Sequence, residues 1–399
     1  MNINIILLYL LSFLLIYQFV GYPALMAIVA LKSKPKEKDY SFQPFVSIIV
    51  PTYNEEKVIE KRIKNLVALD YPKSQYEIIV VDSGSTDRTT EVVEDTMKKY
   101  EDREPAIRLI KEEERKGKAS AINFGKKQAN GEIVLITDAN SVFDNNVLKE
   151  IMPNFESNEV GAACGRYFIS NPNEKLPNSE AFYWEIEHIT LLGESSLDSI
   201  STVIGTISAW RKELMHFRSK TISEDLDMTI QVRRRGYKIR YVPEAKVYEP
   251  SATTSEDQIK QRKRTSIGTI QNMFTHLGYF IAPRDLYSIL IFPSHKGLAM
   301  FSPFIIFAIL ILYMLTGNIK IIVTHFVLIL FIFAGIFILL MILKSRLSKG
   351  EKIKASLSIS SIPKVVYYVL LNEYLILLAW KDFIFRRYSV LWEKAGSTR

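Results

Sequence analysis

The segment Glu132-Ile133-Val134-Leu135-Ile136-Thr137-Asp138-Ala139-Asn140 decides the fold. Its apolar half does not alternate with polar residues, the pattern of a strand covered on both faces. It stops at Asp138-Ala139-Asn140, where alternate residues of an extended chain point the same way. Runs of the same kind stand upstream at Phe45-Val46-Ser47-Ile48-Ile49-Val50, Glu77-Ile78-Ile79-Val80-Val81 and Ile107-Arg108-Leu109-Ile110. Each is followed by a helix-like stretch, over 55–69, from about Thr89 and from about Lys118. In the first of these, Val58, Ile59, Ile63, Leu66 and Val67 recur at helical spacing. Strands joined by helices predict an α/β domain on a mostly parallel sheet. Ligands of such sheets bind outside the carboxyl ends of the strands, so the tips after Val50, Val81 and Ile136 should converge on one site.

The residues at those tips narrow the chemistry. Pro51-Thr52-Tyr53-Asn54-Glu55-Glu56 follows the first strand, and the absence there of a G-x-G-x-x-G turn argues against a dinucleotide fold. Tyr53 suits stacking on a base, Thr52 a bond to it, and Glu55 a ribose hydroxyl. The plainer reading has Asn54 capping a helix and Glu55-Glu56 facing its dipole. Asp82, before Ser83-Gly84-Ser85-Thr86-Asp87, is assigned to the nucleoside, with Asp87 capping the next helix. In Arg115-Lys116-Gly117-Lys118, Lys118 and the helix start suit a phosphate, although a solvated charge run has the same look. Asp138 and Asn140 suit Mg²⁺ or Mn²⁺ carrying a diphosphate, where an Asx turn is the ordinary alternative.

Two later stretches complete the set. Ser223-Glu224-Asp225 leads into a helix expected at 226–235, with Ser223 as its cap. Asp225, with Glu224 beside it, is placed to take a proton from an acceptor hydroxyl. No second nucleophile is identifiable, which favours single displacement with inversion. Gln261-Arg262-Lys263-Arg264 lies in a polar helix from about Ser255. Arg262 and Arg264 suit a departing diphosphate, and the same basic helix suits anionic lipid. Together these groups read as sugar-transfer chemistry.

The ends of the chain are apolar. Residues 3–31 carry no charge, lack a basic start and a small-residue cleavage site, and are read as an uncleaved anchor. Residues 298–316 and 319–343 predict a transmembrane hairpin about Gly317-Asn318. The aromatic segment 271–297 is expected at the interface. A shorter run, Val365 to Trp380 within 362–384, contains Glu373 and is left as spanning or interfacial, before a basic tail at 385–399. Lys32, Lys34, Lys36 and Lys38, and then Lys344, Arg346, Lys349, Lys352 and Lys354, place the 40–270 domain on the cytoplasmic side. Four crossings would put the basic tail outside, so one of these assignments must give way.

Cys164 is the only cysteine of the 399 residues, which excludes an intrachain disulfide and fits a reducing compartment. The formal charge of +8 is read as attraction to anionic lipid. No nucleic-acid module and no histidine spacing for zinc is present.

In this order, the stretches beginning at Pro51, Asp82, Lys116, Asp138, Ser223 and Gln261 resemble family 2 glycosyltransferases. The nearest branch is membrane-embedded and contains cellulose, chitin, hyaluronan and poly-N-acetylglucosamine synthases, with ceramide glucosyltransferases nearby. The likeness covers about residues 45–270 and, more loosely, the membrane helices and Leu391-Trp392-Glu393-Lys394. It implies a GT-A fold and a nucleotide-sugar donor, commonly UDP-linked. Pro51, Thr52, Tyr53, Glu55 and Asp82 would then hold the nucleoside, with Lys118 on the phosphates or ribose. Asp138 and Asn140 would stand in the D-x-D positions of the metal, and Asp225 in that of the base. Asn140 replaces an acid, and Thr265 replaces the tryptophan expected after Arg264 beside an acceptor sugar. The first departure weakens metal binding, while the second, with only three or four membrane segments, favours transfer of one or a few sugars to a lipid, lipid-linked or glycan acceptor over processive synthesis of an exopolysaccharide. A non-catalytic nucleotide-sugar scaffold is the rival of another class, disfavoured by retention of Asp138, Asp225 and Arg264.

Overall fold

The computed structural model describes residues 3–34, 37–101, 103–171, 175–347 and 362–390. Leu391-Trp392-Glu393-Lys394, Lys36 and the basic residues 349, 352 and 354 lie outside them.

Eight strands form one sheet: β1 Val46–Thr52, β2 Tyr76–Asp82, β3 Ala106–Lys111, β4 Ile133–Ile136, β5 Val142–Phe143, β6 Val160–Ile169, β7 Ser208–Arg211 and β8 Lys238–Glu249. Their spatial order is β3-β2-β1-β4-β7-β6-β8-β5. The half β3-β2-β1-β4 is parallel throughout. β7 runs antiparallel to both neighbours, β6 pairs parallel with β8, and β5 closes the far edge antiparallel. The apolar runs of β1, β2 and β4 lie in the interior of this sheet, where every residue of β2 and β4 is buried, whereas the run of β3 forms a half-buried edge strand.

In chain order the helices are α1 Ile3–Ile16, α2 Tyr22–Lys32, α3 Ile59–Val67, α4 Thr89–Lys98, α5 Lys118–Gln128, α6 Val147–Ile151, α7 Lys175–Leu197 and α8 Glu224–Arg234. There follow α9 Ser255–Thr275, α10 Leu277–Ile281, α11 Leu298–Thr316, α12 Ile319–Leu347 and α13 Ile362–Ile384. The starts expected near Thr89, Lys118 and Ser255 are thus found. Asn54 caps no helix. It sits at φ 55°, and its Oδ1 accepts from the Thr86 N–H at 2.7 Å, tying the first tip to the second. Asp87 stands one position before the cap residue Arg88, and its Oδ1 accepts from the Thr89 N–H at the helix start.

Among the described residues three helical runs are long and apolar enough to cross a membrane: Ile3–Lys32, Tyr287–Thr316 and Ile319–Leu347. The second begins eleven residues before the expected 298, inside the segment read as interfacial. Two π-helical stretches, Tyr287–Ile291 and Pro293–Gly297, lead directly into α11. Within this stretch His295 and Lys296 meet acids of α7. Lys296 Nζ lies 2.6 Å and His295 Nε2 2.9 Å from Glu187, while His295 Nδ1 is 2.7 Å from Glu194. α2 crosses α7 so closely that a Cβ on Gly193 would lie 2.2 Å from the Met26 carbonyl oxygen. The last helix packs on α9 and α11. Ile376 and Ala379 join Ile267, Ile270 and Met300, and the Trp380 indole donates to the Met300 carbonyl.

Candidate active site

β1 and β2 end level, Thr52 being paired with Asp82, while β4 stops at Ile136 opposite Ile49, three residues short of the end of β1. Their polar tips are consequently locked together. The Ser83 N–H donates to the Thr52 carbonyl, Thr52 Oγ1 donates to the Val81 carbonyl, and the Glu55 N–H donates to Thr89 Oγ1. Pro51 precedes Thr52 in β1, and Glu55 is buried. Asp82 uses Oδ2 to accept from the Ser85 N–H, whereas its buried Oδ1 has no protein partner. The Arg115 guanidinium lies 3.9 Å from the centre of the Tyr53 ring, so the ring has a cation over one face.

The third tip carries the acids. Asp138 accepts from Lys118 Nζ at 2.6 Å, and the same ammonium is 3.9 Å from Glu224 Oε1. Lys118 is the first residue of α5, so the helix start delivers the cation to the end of β4. Beneath them, the buried Arg62 donates to Thr137 Oγ1 at 2.5 Å and stacks 4.0 Å over Phe143. Burial lowers its pKa to about 9, against the opposing pull of Asp138 and Glu249. Arg62 was missed in the sequence, yet it shares a helical face with Ile59, Ile63 and Leu66, and that spacing marks it as buried.

Glu224 and Asp225 begin α8 behind Ser223, which is the cap residue although its side chain makes no capping bond. Asp225 Oδ1 accepts from the Leu226 N–H, and a Cβ on Gly205 would lie 3.2 Å from Asp225 Oδ2. The 203–207 turn thus brings backbone up to the carboxylate. Burial pushes the Glu224 carboxyl up to about 7, against Lys118 and with the charge of Asp225 adding to the rise. Burial also raises Asp225, opposed first by the Leu226 N–H and then by Lys118.

The basic helix is only partly turned to this cluster. The Arg264 guanidinium donates to the Ile222, Ser389 and Val390 carbonyls, joining α8, α9 and the chain after α13. Arg262 donates to Asn372 of α13 and lies 3.7 Å from Glu180 of α7. Gln261 is exposed and does not face the acids. Thr265 is exposed as well.

Asn140 is the residue most informative about a metal. It is 9 % exposed, and its Oδ1 is buried without a protein partner. A neutral amide oxygen beside the Asp138 carboxylate is a donor set that a hard divalent cation accepts. The two residues therefore fit such an ion. No grouping of three or more His, Cys, Asp or Glu side chains with metal-binding geometry occurs among the described residues.

Comparison with known proteins agrees with this arrangement. The Glycosyl transferase family 2 profile matches residues 47–217, and that of Glycosyl transferase family group 2 matches 133–343, more than half of the chain. A probable glycosyltransferase of Bacillus subtilis, YdaM, is 30% identical over 59% of this chain and 58% of its own. The beta-monoglucosyldiacylglycerol synthase of a Nostoc species is 29% identical over 57% of this chain and 49% of its own. The poly-beta-1,6-N-acetyl-D-glucosamine synthase of Staphylococcus epidermidis is 27% identical over 56% and 54%. The chain thus spans about half the length of the curated relatives it matches. The solved mannosyltransferase PcManGT of Pyrobaculum calidifontis, in complex with GDP-Man and Mn²⁺, shares the fold with TM-score 0.70 at 21% identity. That match covers 96% of this chain and 100% of the other. A sheet shared with PcManGT and a family match over residues 133–343, more than half of the chain, lead to one assignment: the chain belongs to glycosyl transferase family group 2.

Proposed function

We propose that the protein is a membrane-anchored, inverting, divalent-metal-dependent glycosyltransferase that moves a sugar from a nucleotide-sugar donor to a lipid, lipid-linked or glycan acceptor. The observation that carries this reading is the meeting of Lys118, Asp138, Glu224 and Asp225 at the carboxyl ends of the parallel strands. Tyr53, Thr52 and Asp82 hold the nucleoside, probed by the open Asp82 Oδ1. Asp138 and Asn140 hold Mg²⁺ or Mn²⁺, which when bound neutralises charge on the diphosphate. Asp225 accepts the proton of the acceptor hydroxyl as its oxygen attacks the anomeric carbon. The bond to the diphosphate breaks with its electron pair leaving on the phosphate oxygen, and Lys118 meets that developing charge. The anomeric configuration inverts because the two oxygens lie on opposite sides of the carbon.

Residues 40–270 are the catalytic unit in this reading. Spans at Ile3–Lys32, Tyr287–Thr316 and Ile319–Leu347 put it, and the residues after α12, on one side of the bilayer. Lys32, Lys34, Lys344 and Arg346 support the cytoplasmic face for that side. Reading α13, packed along α9, as an interfacial helix keeps Lys381, Arg386 and Arg387 on the same side. Thr265 and the three spans favour limited transfer over a processive synthase.

The test is transfer by the purified protein in lipid nanodiscs with Mg²⁺ or Mn²⁺ and a panel of radiolabelled nucleotide sugars. Label in the lipid fraction supports the reading, and its loss on chelation supports the metal. Label in long polymer would replace limited transfer by processive synthesis. Binding of a nucleotide sugar without transfer would leave the scaffold as the account.

A further inference from the structure

The sheet opens beside the acids. Ser208, the first residue of β7, is paired on one side with Ile136 and on the other with Cys164. β4 and β6 are both antiparallel to β7 and hence parallel to each other. Past Ser208 no strand fills the space between residues 137–140 and 165–169. The 203–207 turn enters there instead, held by the Gly165 N–H donating to the Ile207 carbonyl at 3.2 Å. Asp138 and Asn140 form one wall of this cleft, and the end of β6 forms the other.

That second wall is aromatic. Trp184 of α7 lies against Tyr167 of β6 with ring centres 4.6 Å apart and a 40° tilt, and Tyr183 meets Trp184 edge-on at 5.7 Å. Burial raises the Tyr167 phenol well above its ordinary value, and the charges of Glu249, Glu180 and Asp138 add to the rise, which places the ring within reach of the acids. The cleft also gathers unmatched polar atoms: the Trp184 indole N–H, Thr206 Oγ1, Ser141 Oγ and Asn140 Oδ1 are all buried without a protein partner. A buried indole N–H ordinarily finds a partner, and a group of unpaired atoms around one opening marks a place where a ligand supplies it. Tyr183 is 38 % exposed at the mouth, and Arg262 and Glu180 form the rim. Aromatic faces combined with a few fixed polar atoms suit a ring with apolar C–H faces and hydroxyl edges. A bare alcohol has no such face.

Resting on the glycosyltransferase reading, we propose that Trp184, backed by Tyr167 and edged by Tyr183, binds a sugar ring already present on the acceptor. The indole N–H donates to a hydroxyl of that ring. The preferred acceptor is accordingly a glycosylated head group and not an unglycosylated diacylglycerol. On α9, Thr265 offers no ring for this purpose, so α7 provides the aromatic surface.

The test compares monoglucosyldiacylglycerol with dioleoylglycerol as acceptors in nanodiscs, using the donor identified by the label panel. The wild type should favour the glucosylated lipid by about tenfold, the scale of one good aromatic contact with its hydrogen bond. Trp184→Ala should raise KM for that lipid about tenfold and abolish the preference. Donor KM and slow hydrolysis of the nucleotide sugar should stay unchanged. Trp184→Phe keeps an aromatic face against Tyr167 and removes the N–H together with the pyrrole ring, so it should fall between the two. An unchanged acceptor KM in Trp184→Ala, or equal losses with both lipids, would overturn the proposal. A separate titration of tryptophan fluorescence with octyl glucoside, against octanol and with Trp184→Phe as control, reads binding without catalysis. A glucoside-specific change that vanishes in the variant supports the aromatic site, and its absence in the wild type overturns it. Failure of the wild type to cleave any nucleotide sugar would instead sink the glycosyltransferase reading, and the titration would still judge the site.

Discussion

Two of the buried charge clusters among the described residues are built on opposite principles. At the junction between α7 and the membrane helices, the acids Glu187 and Glu194 face His295 and Lys296. Glu194 also accepts from the Tyr22 hydroxyl at 2.9 Å and from the Ser201 N–H at 2.7 Å. Acids and bases are matched there, and the carboxylate oxygens are filled. At the end of β4, three carboxylates (Asp138, Glu224 and Asp225) gather round the ammonium of Lys118, and the Asn140 and Asp82 side chains each keep an unpaired oxygen. A matched cluster is cheapest to leave alone, while an unmatched one is stabilised by whatever cation or donor arrives. The first cluster holds two parts of the protein together, and the second is arranged to receive something.

The comparison can be broken in four places. The largest effect is expected from Asp225→Asn, which should reduce transfer by about 10²–10⁴-fold, the usual contribution of a general base. Donor binding, followed by equilibrium titration, should survive, and normal turnover would remove Asp225 from its role. Next, Glu194→Ala leaves the Tyr22 hydroxyl and the Ser201 N–H at the junction without their acceptor and removes one of the two acids facing His295, and should cost about 3–5 kcal/mol. Thermal unfolding in nanodiscs reads this loss, and a variant as stable as the wild type would show that the matching is incidental.

Glu224→Gln should act in the opposite direction. Its carboxyl has a folded-state pKa of about 7, above the ordinary 4.5, so the fold favours the neutral acid. As pH rises from about 4.5 to 7 the unfolded chain ionises first, and the folded state loses stability progressively. The glutamine, which cannot ionise, should therefore gain about 1–2 kcal/mol at pH 8, shrinking towards pH 5. An equal effect at both pH values would mean that charge is not the cause. The smallest effect is expected from Asn140→Asp, which adds a charge to the metal position. Half-maximal turnover should then need severalfold less Mn²⁺, and no shift would place the ion elsewhere.

The strand tips were legible because each is a short unbroken apolar run ending in polar residues, and pairing such runs in register leaves little choice of geometry. Lys118 was readable for a similar reason, since a helix start next to a strand end fixes its place. The opening beyond Ser208 was not legible, because it depends on where β7 begins relative to two strands distant in sequence. Trp184 and Tyr167 are seventeen positions apart on different element types, and nothing periodic links them. The pairing of His295 and Lys296 was not legible either, because the acids of α7 that meet them stand a hundred positions earlier in the chain.

The three main-chain carbonyls held by Arg264 also have a temporal meaning. Ser389 and Val390 lie 125 and 126 positions after Arg264, and Asn372, the partner of Arg262, lies 110 positions after it. The sheet and its tips can form before these residues are made, but the basic helix cannot acquire these neighbours until α13 has been synthesised and laid against it. Its set of contacts is thus completed only after the apolar helices α11 and α12 have been made.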